Sequence, residues 1–580
     1  MNNTATRSSA QYRIDQFNTS QLDRIELPKF QRGFVWNKAK QNDFVQTLHD
    51  GYPFGTLLVY PVDNTPDSKM KLLDGQQRLS TIKKYIKNPL TFWKPLNSDV
   101  YRQAFDKAST IVAKSGNELS EKEFDEHLIQ GIFHESMPLF SWALSVTNTK
   151  DEAEELLAII NELAGKVNNY VDLSTLQIPM IVYQGPHSTI ADVFANLNKG
   201  GVPLSKYEVF GAAWVDEDLK LSNTDLQDEI IQLVKQYYLD MQNDAEFDIS
   251  NFSEDDLTQA RTISLAEFGR ALGQFIAKRM PSLVSEASNS TQEIGFGLLG
   301  VITKVSNRKL GMLNMHTQEI QSEIESILQK ADRISKNIND IFGKLLLRFK
   351  ATGNKYEMGL NATFKTLSYF AALWDLDPSS QEYRDMLHNI KAYYVYDFVT
   401  SAWTSHGDQR LDEFTQGHRS YAAPVAKDAF TQAFVRWINE ETPGINFTKD
   451  VKALTTIHAN LSYLSAATPD GESFELEHIV PRKLLNDVED PKHRTIIGGL
   501  LGNCMYLPKS LNNKKKTKTL YDVNDYGRYS QLIEQSDYLT QEEFKTVFAA
   551  LKDHDPDRAN RVLRERAKKV AAKIIEGLCD

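Results

Sequence analysis

Between about residue 216 and residue 400, apolar residues recur at helical spacing almost without a break, as in LQDEIIQLVKQYYLDMQ, LAEFGRALGQFIAKRM and IQSEIESILQKADRISKNINDIFGKLLLRF. Each stretch carries one apolar stripe with charged faces between. Such a stripe is buried only against another element, so the middle of the chain has to fold as helices stacked on helices. No segment recurs at a fixed period, which removes the solenoid architectures. A chain of 580 residues also exceeds what one core can serve, so three or four domains are expected.

On the N-terminal side the hydrophobic period changes. IELPKFQRGFVW (25–36), GYPFGTLLVYPV (51–62) and MKLLDG (70–75) read as strands or strand-to-loop pieces around a helix near 38–49. A helical stretch from about 100 to 175 interrupts them. LQIPMIVYQG (176–185) then returns to strand chemistry, and STIADVFANLNKGGVPLS opens a capped helix ending at Gly200-Gly201. Beyond 400 come aromatic-rich helices, LEHIVPRKLLNDVED, a Gly-rich IIGGLLGNCMYLP and the basic KSLNNKKKTKTLYD. In a last helix over 557–576, Arg558, Arg561, Arg564, Arg566, Lys568, Lys569 and Lys573 alternate with Val562, Leu563, Val570 and Ile574. The expected fold is a multidomain, predominantly helical α+β protein. Its domains would be 1–215, an α/β unit with the helical insertion, a helical 216–395, and a C-terminal 396–580.

Two cysteines, Cys504 and Cys579, cannot build a disulfide framework or a four-cysteine zinc site, so any metal must be held by oxygen and histidine. A net charge of -11 argues against a protein that coats nucleic acid non-specifically, although basic charge gathers near the C-terminus. No window is long and apolar enough for a membrane helix, and MNNTATRSSAQYRID has no apolar targeting core. A cytoplasmic protein without membrane partners is expected.

Two constellations carry chemistry. In LLDGQQRLSTIKKYI, Asp74-Gly75-Gln76-Gln77-Arg78 stands where a strand turns into a helix whose Leu79, Ile82 and Ile86 share one face. A glycine there lets the backbone approach a ligand, and the first-turn amides are unpaired donors at the positive end of the helix dipole. That corner suits phosphate. Arg78 would grip it with a planar fork, Gln76 or Gln77 would orient a water or a base, and Asp74 would hold a metal or the arginine. The plainer reading of the same residues is a turn in which Asp74 caps the helix and Arg78 makes a surface pair.

The second constellation is ELEHIVPRK, then GNCMY, then LNNKKK. An acid-histidine pair on a short strand, an asparagine in the following loop and a polar ligand on the next helix have the order of an HNH nuclease. One-metal phosphodiester hydrolysis needs a histidine to deprotonate water and a divalent ion on hard ligands to stabilise charge on the phosphate. His478 fits the base, Glu477 and Asn512 the metal ligands, and Asn503 the loop tether, with Asn513 a rival to Asn512. So few protein ligands favour Mg²⁺, or another hard divalent ion such as Mn²⁺, over zinc. Lys509, Lys514, Lys515, Lys516 and Lys518, with no acid among them, are candidates for the DNA backbone.

PKFQRGFVW followed by Gln41, YPFGTLLV, LLDGQQRLSTI and VFANLNKGGVPLS stand in the order found in the N-terminal domain of GmrSD-type modification-dependent restriction enzymes. The set is also similar to the phage-defence proteins SspE and BrxU. The resemblance spans most of residues 20–210 and implies a ParB/sulfiredoxin-like domain whose DGQQR motif binds and hydrolyses a nucleoside triphosphate, GTP or ATP. It makes Asp74, Gly75, Gln76, Gln77 and Arg78 the nucleotide site, with Gln31 and Arg32 as its second pole and Asn198 contributing from a later helix. The ELEHIVPRK region resembles the HNH domain of the same family, with Glu477 where aspartate is frequent and Cys504-Met505 where Leu-Thr is frequent.

Together these readings imply a nucleotide-regulated, modification-dependent DNA endonuclease of anti-phage defence. Its partners would be modified phage DNA and a nucleoside triphosphate, with a homodimer left open. The rivals are a nucleotide-dependent DNA-binding regulator with an inactive HNH remnant and a toxin-like RNase or non-specific nuclease.

Overall fold

The computed structural model describes residues 11–28, 36–61, 65, 68–185, 193, 207, 210, 214, 217–245, 249, 252–348, 355–464, 473–488, 493–524 and 527–580. Helix predominates, with a small mixed sheet near the N-terminus, as the hydrophobic periods require. The chain divides into two compact units, one of residues 1–216 with 234–260 and one of residues 217–233 with 261–580.

The first unit is built on strands β1 (Tyr12–Phe17), β2 (Ile25–Glu26), β3 (Leu57–Pro61), β4 (Met70–Asp74) and β5 (Ile178–Tyr183), in the order β1-β5-β3-β4-β2. β3 runs parallel to β5 and antiparallel to β4. Alternation along the strands divides the apolar residues between two faces. Leu57, Val59, Leu72, Met180 and Val182 enter one core together with Phe44, Val45 and Leu48 of helix α1 (Lys38–His49) and Leu79, Ile82 and Tyr85 of helix α2 (Gln76–Lys87). Leu58, Leu73 and Tyr183 form a smaller cluster on the other face.

Between α2 and β5 the chain makes five helices from Leu90 to Asn168 with an apolar core of their own, including Phe124, Leu128, Leu156, Ile160 and Leu163. The interruption between the β3–β4 pair and β5 is therefore an insertion that closes on itself. It leaves the strand-to-helix corner at Asp74 to be set by the sheet.

Among the described residues of the second unit, helices carry three two-stranded sheets: β6 (Asp218–Lys220) with β7 (Thr262–Ser264), β8 (Leu347–Arg348) with β9 (Lys355–Tyr356), and β10 (Phe474–His478) with β11 (Cys504–Pro508). The longest helix among the described residues, Thr317–Leu345, buries Ile320, Ile324, Ile327, Leu328, Ala331, Ile334 and Ile338 at i, i+3 and i+4 spacing. The last helix, Pro556–Cys579, buries Leu563, Val570 and Ile574 as its pattern requires, and buries Arg566 beside them. Arg566 is thus not part of a solvated basic face. Among the described residues no helix is long and apolar enough to cross a membrane.

Candidate functional site

The two constellations fall in different units. In the first unit, β4 ends at Asp74, and Gly75 turns the chain into α2 with φ +97 and no side-chain cap. Asp74 does not cap the helix. It accepts from Arg78 Nη2 at 3.0 Å, while Arg78 Nη1 donates to the Phe54 carbonyl at 3.3 Å.

Two glycines make room for that guanidinium. A Cβ on Gly55, where φ is +83, would lie 2.5 Å from Arg78 Nη1, and one on Gly75 would lie 2.3 Å from Leu57 Cδ2 and 3.3 Å from Arg78 Nη2. Gly55 belongs to the YPFGTLLV stretch, whose role in seating Arg78 is visible only once β3 and α2 are brought together. Gln77 Oε1 accepts from the Trp36 amide at 2.9 Å, and Gln41 Nε2 donates to the Trp36 carbonyl at 2.9 Å, so two motif side chains fix the backbone leading into α1.

Gln76 is buried, and its Nε2 has no hydrogen-bond partner among the described residues. Uncapped first-turn amides, no acid in that turn, an orphaned buried amide and a seated guanidinium suit an anionic phosphate chain. Gln31, Arg32 and Asn198 lie outside the described residues.

In the second unit, β10 and β11 pair antiparallel with Glu477 opposite Met505 and His478 opposite Cys504. β11 runs through Pro508 into a short helix, Lys509–Lys515. Glu475 and Glu477 are two residues apart on a strand and share a face. Asn512 and Lys515, nearly one turn apart on the helix, meet them: Asn512 Nδ2 donates to Glu475 Oε2 at 3.1 Å, and Lys515 Nζ donates to Glu477 Oε1 at 2.9 Å and to the His478 carbonyl at 3.0 Å.

The His478 ring stacks on Phe447 with 4.0 Å between centroids, and its Nε2 lies 2.7 Å from the Ile445 carbonyl oxygen. A carbonyl only accepts, so Nε2 carries the proton and Nδ1 keeps its lone pair. Burial, with smaller contributions from Arg482 and Lys515, pushes the imidazole pKa down to about 4 against the pull of the Ile445 hydrogen bond, so the ring is neutral near pH 7.

Asn503 is fully buried and ties the turn. Its Oδ1 accepts from the Val480 amide at 2.7 Å, and its Nδ2 donates to the Gly498 carbonyl at 2.8 Å. Behind that turn, Arg566 donates to the carbonyls of Gly502 at 3.1 Å, Cys504 at 3.2 Å, Asp537 at 2.7 Å and Ser536 at 2.8 Å. Gly502 presses on the same helix, since a Cβ there would lie 1.8 Å from the Leu563 carbonyl oxygen. Cys504 and Met505 are both buried, and burial pushes the Cys504 thiol up to about 12, so that side chain packs as a neutral group.

The basic run divides. Lys509, Lys514, Lys516 and Lys518 are exposed, while Lys515, expected on the DNA backbone, is wholly buried against Glu477 and cannot reach a phosphate in this arrangement. Asn512 is joined to Glu475 rather than to Glu477. Among the described residues no group of three or more His, Cys, Asp or Glu gathers as a metal cage. By donor chemistry, the Glu477 carboxylate and Asn512 amide oxygen suit a hard, oxygen-seeking ion that retains waters. By arrangement, Glu477 already holds a cation.

Sequence reasoning missed three supports: the Ile445 and Phe447 contacts to His478, the burial of Lys515, and Arg566. The last two left a signal. Lys515 follows the buried Leu511 by four residues, and Arg566 lies three after Leu563 and four before Val570, so both sit on apolar faces.

Residues 14–215 match the GmrSD restriction endonuclease N-terminal domain, and residues 435–572 match the GmrSD restriction endonuclease C-terminal domain. The first segment contains the Asp74 corner and the second the whole β10–β11 site. No curated protein matches the chain.

Proposed function

From the premise that this chain belongs to the GmrSD restriction endonuclease family, and so is a restriction endonuclease acting on DNA in phage defence, we propose a nucleotide-regulated, modification-dependent enzyme that cuts at an HNH-type centre on β10–β11. The observation that carries this reading is the fixed tautomer of His478. With Nε2–H engaged by the Ile445 carbonyl and the ring neutral, Nδ1 is free to take a proton from the attacking water. Phe447 holds the ring plane, and Asn503 holds the turn that follows it.

Glu477 and Asn512 would hold Mg²⁺ or Mn²⁺, which when bound supplies charge stabilisation at the phosphate and leaving oxygen. Exposed Lys509, Lys514, Lys516 and Lys518 would track the DNA backbone.

In the first unit, Asp74, Gly75, Gln76, Gln77 and Arg78 would hold the phosphates of GTP or ATP, with Gln31, Arg32 and Asn198 completing the site for hydrolysis. Asp74 keeps Arg78 in its glycine-lined seat, from which the guanidinium can turn to an incoming phosphate. Nucleotide biases cleavage only if the states of the protein bind it unequally.

The test measures nucleotide turnover with and without modified phage DNA, and cleavage of modified and unmodified DNA with and without nucleotide, in the wild type and in Arg78→Ala. The proposal expects cleavage to depend on both modification and nucleotide, and Arg78→Ala to lose turnover and shift cleavage. Cleavage indifferent to nucleotide and unchanged in Arg78→Ala would remove the regulatory half of the proposal.

A further inference from the structure

Lys515 occupies the carboxylate of Glu477. The carboxylate needed by a divalent ion accepts a hydrogen bond at 2.9 Å from an ammonium whose side chain has no exposed surface, and the same ammonium bonds the His478 carbonyl. A second positive charge brought to that carboxylate would stand beside the first in a poorly hydrated place, where like charges repel most strongly.

The backbone next to Lys515 is unusual. Lys516, a non-glycine residue, ends the helix at φ +48 and ψ −113, a conformation that L-residues rarely adopt, and the Lys518 amide bonds back to the Lys515 carbonyl at 2.8 Å. The chain turns sharply at the point that aims Lys515 inward while Lys514, Lys516 and Lys518 stay exposed.

We propose that Lys515 is an internal cation seated where the divalent ion belongs, so that the ion reaches Glu477 only by displacing the lysine, and the centre stays closed while Lys515 holds Glu477. This deepens the proposed function and rests on its reading of Glu477 as the metal-holding carboxylate. It also gives the five-lysine run two roles: an exposed set for phosphate, and one buried member that moves out to join them.

Amine acetylation followed by mass spectrometry tests the displacement in the full chain. Without added metal, Lys515 should be modified far more slowly than exposed Lys514 and Lys516. Saturating Mn²⁺ should speed Lys515 alone by about tenfold or more, the change that marks a clear shift between two states. Calorimetric titration with Mn²⁺ supplies the second reading. Lys515→Met should bind the ion about tenfold or more tightly than the wild type, and Lys515→Met combined with Glu477→Gln should lose that site.

If Mn²⁺ binds in a Glu477-dependent way while Lys515 stays protected, or if Lys515→Met binds no more tightly, the internal-cation proposal is overturned and the metal reading stands. Should Lys515→Met fail to fold, the wild-type acetylation result decides alone. If no binding depends on Glu477, the metal reading itself falls and takes this inference with it.

Discussion

Removing the Asn503 side chain should loosen the turn that follows His478, in the proposed nuclease centre, without touching a reacting atom. In Asn503→Ala two buried backbone groups lose short hydrogen bonds, the Val480 amide now 2.7 Å from Oδ1 and the Gly498 carbonyl now 2.8 Å from Nδ2, and the Val480 carbonyl loses a longer one at 3.4 Å. At about 1–3 kcal/mol for each unsatisfied buried group, the local cost is roughly 2–6 kcal/mol. A chain of two units need not unfold in one step, so the effect is best read where it arises. Hydrogen exchange at the Val480 amide should speed by about 30-fold or more, the lower end of that range converted at tenfold per 1.4 kcal/mol. Val480 is two residues from His478, so the proposed base shifts with it. A displacement near 1 Å at a catalytic group costs about 10²-fold in rate, and cleavage should fall by that order while nucleotide turnover holds. A Val480 amide as protected as in the wild type, with cleavage intact, would show that Asn503 does not organise the site.

Gly55→Ala should cost nucleotide turnover about tenfold or more, because the new Cβ would meet Arg78 Nη1 at 2.5 Å and unseat the guanidinium. Gly51→Ala is the matched control: it has φ +68 with nothing within 4 Å, so it should bear only the backbone cost of about 1–2 kcal/mol and keep turnover. Equal effects in the two variants would deny Gly55 its role. Lys365, fully buried with its Nζ donating to the Leu360 and Tyr394 carbonyls, has its pKa pushed down to about 7 by burial, against a smaller upward pull from Asp397. Between about pH 7 and the ordinary lysine value of about 10.5, the unfolded chain binds a proton that the folded chain does not. Stability of the second unit should therefore rise with pH across that window, by up to about 1.4 kcal/mol per pH unit, and be lost as pH falls toward 7. Denaturant titrations in which Lys365→Met keeps the wild-type slope would contradict this.

The legible parts of the fold are those in which neighbours in sequence set the structure. Leu57–Pro61, Met70–Asp74 and Ile178–Tyr183 carry β-rich runs between turn signals, and the helical insertion announces itself by period. β1 escaped notice because most of YRIDQF is exposed, with Ile14 at 79%, so its alternation points to no core and only its pairing with β5 makes it a strand. At the Asp74 corner the strand-to-helix glycine is local and was readable. Gly55, which seats Arg78, depends on β3 lying beside β4, a tertiary fact.

In the second constellation, Glu477, His478 and Asn503 share one hairpin, and their order is written in the chain. The carbonyl that fixes the His478 tautomer comes from Ile445, 33 residues upstream. Lys515 was misread because its one local mark, a place four residues after Leu511 on the same helix face, is outweighed by the run of lysines around it. The choice of which lysine turns inward is made by Glu477 across the hairpin and by the left-handed turn at Lys516.

The central claim is that the β10–β11 hairpin houses the DNA-cutting centre with His478 as its base. It is tested most directly by cleavage of modified phage DNA with Mg²⁺, comparing the wild type with His478→Ala and following nucleotide turnover in the same preparations. The account predicts cleavage reduced by about 10²–10⁴-fold, the loss expected when proton abstraction is removed, with turnover unchanged. Cleavage at the wild-type rate in His478→Ala would contradict it.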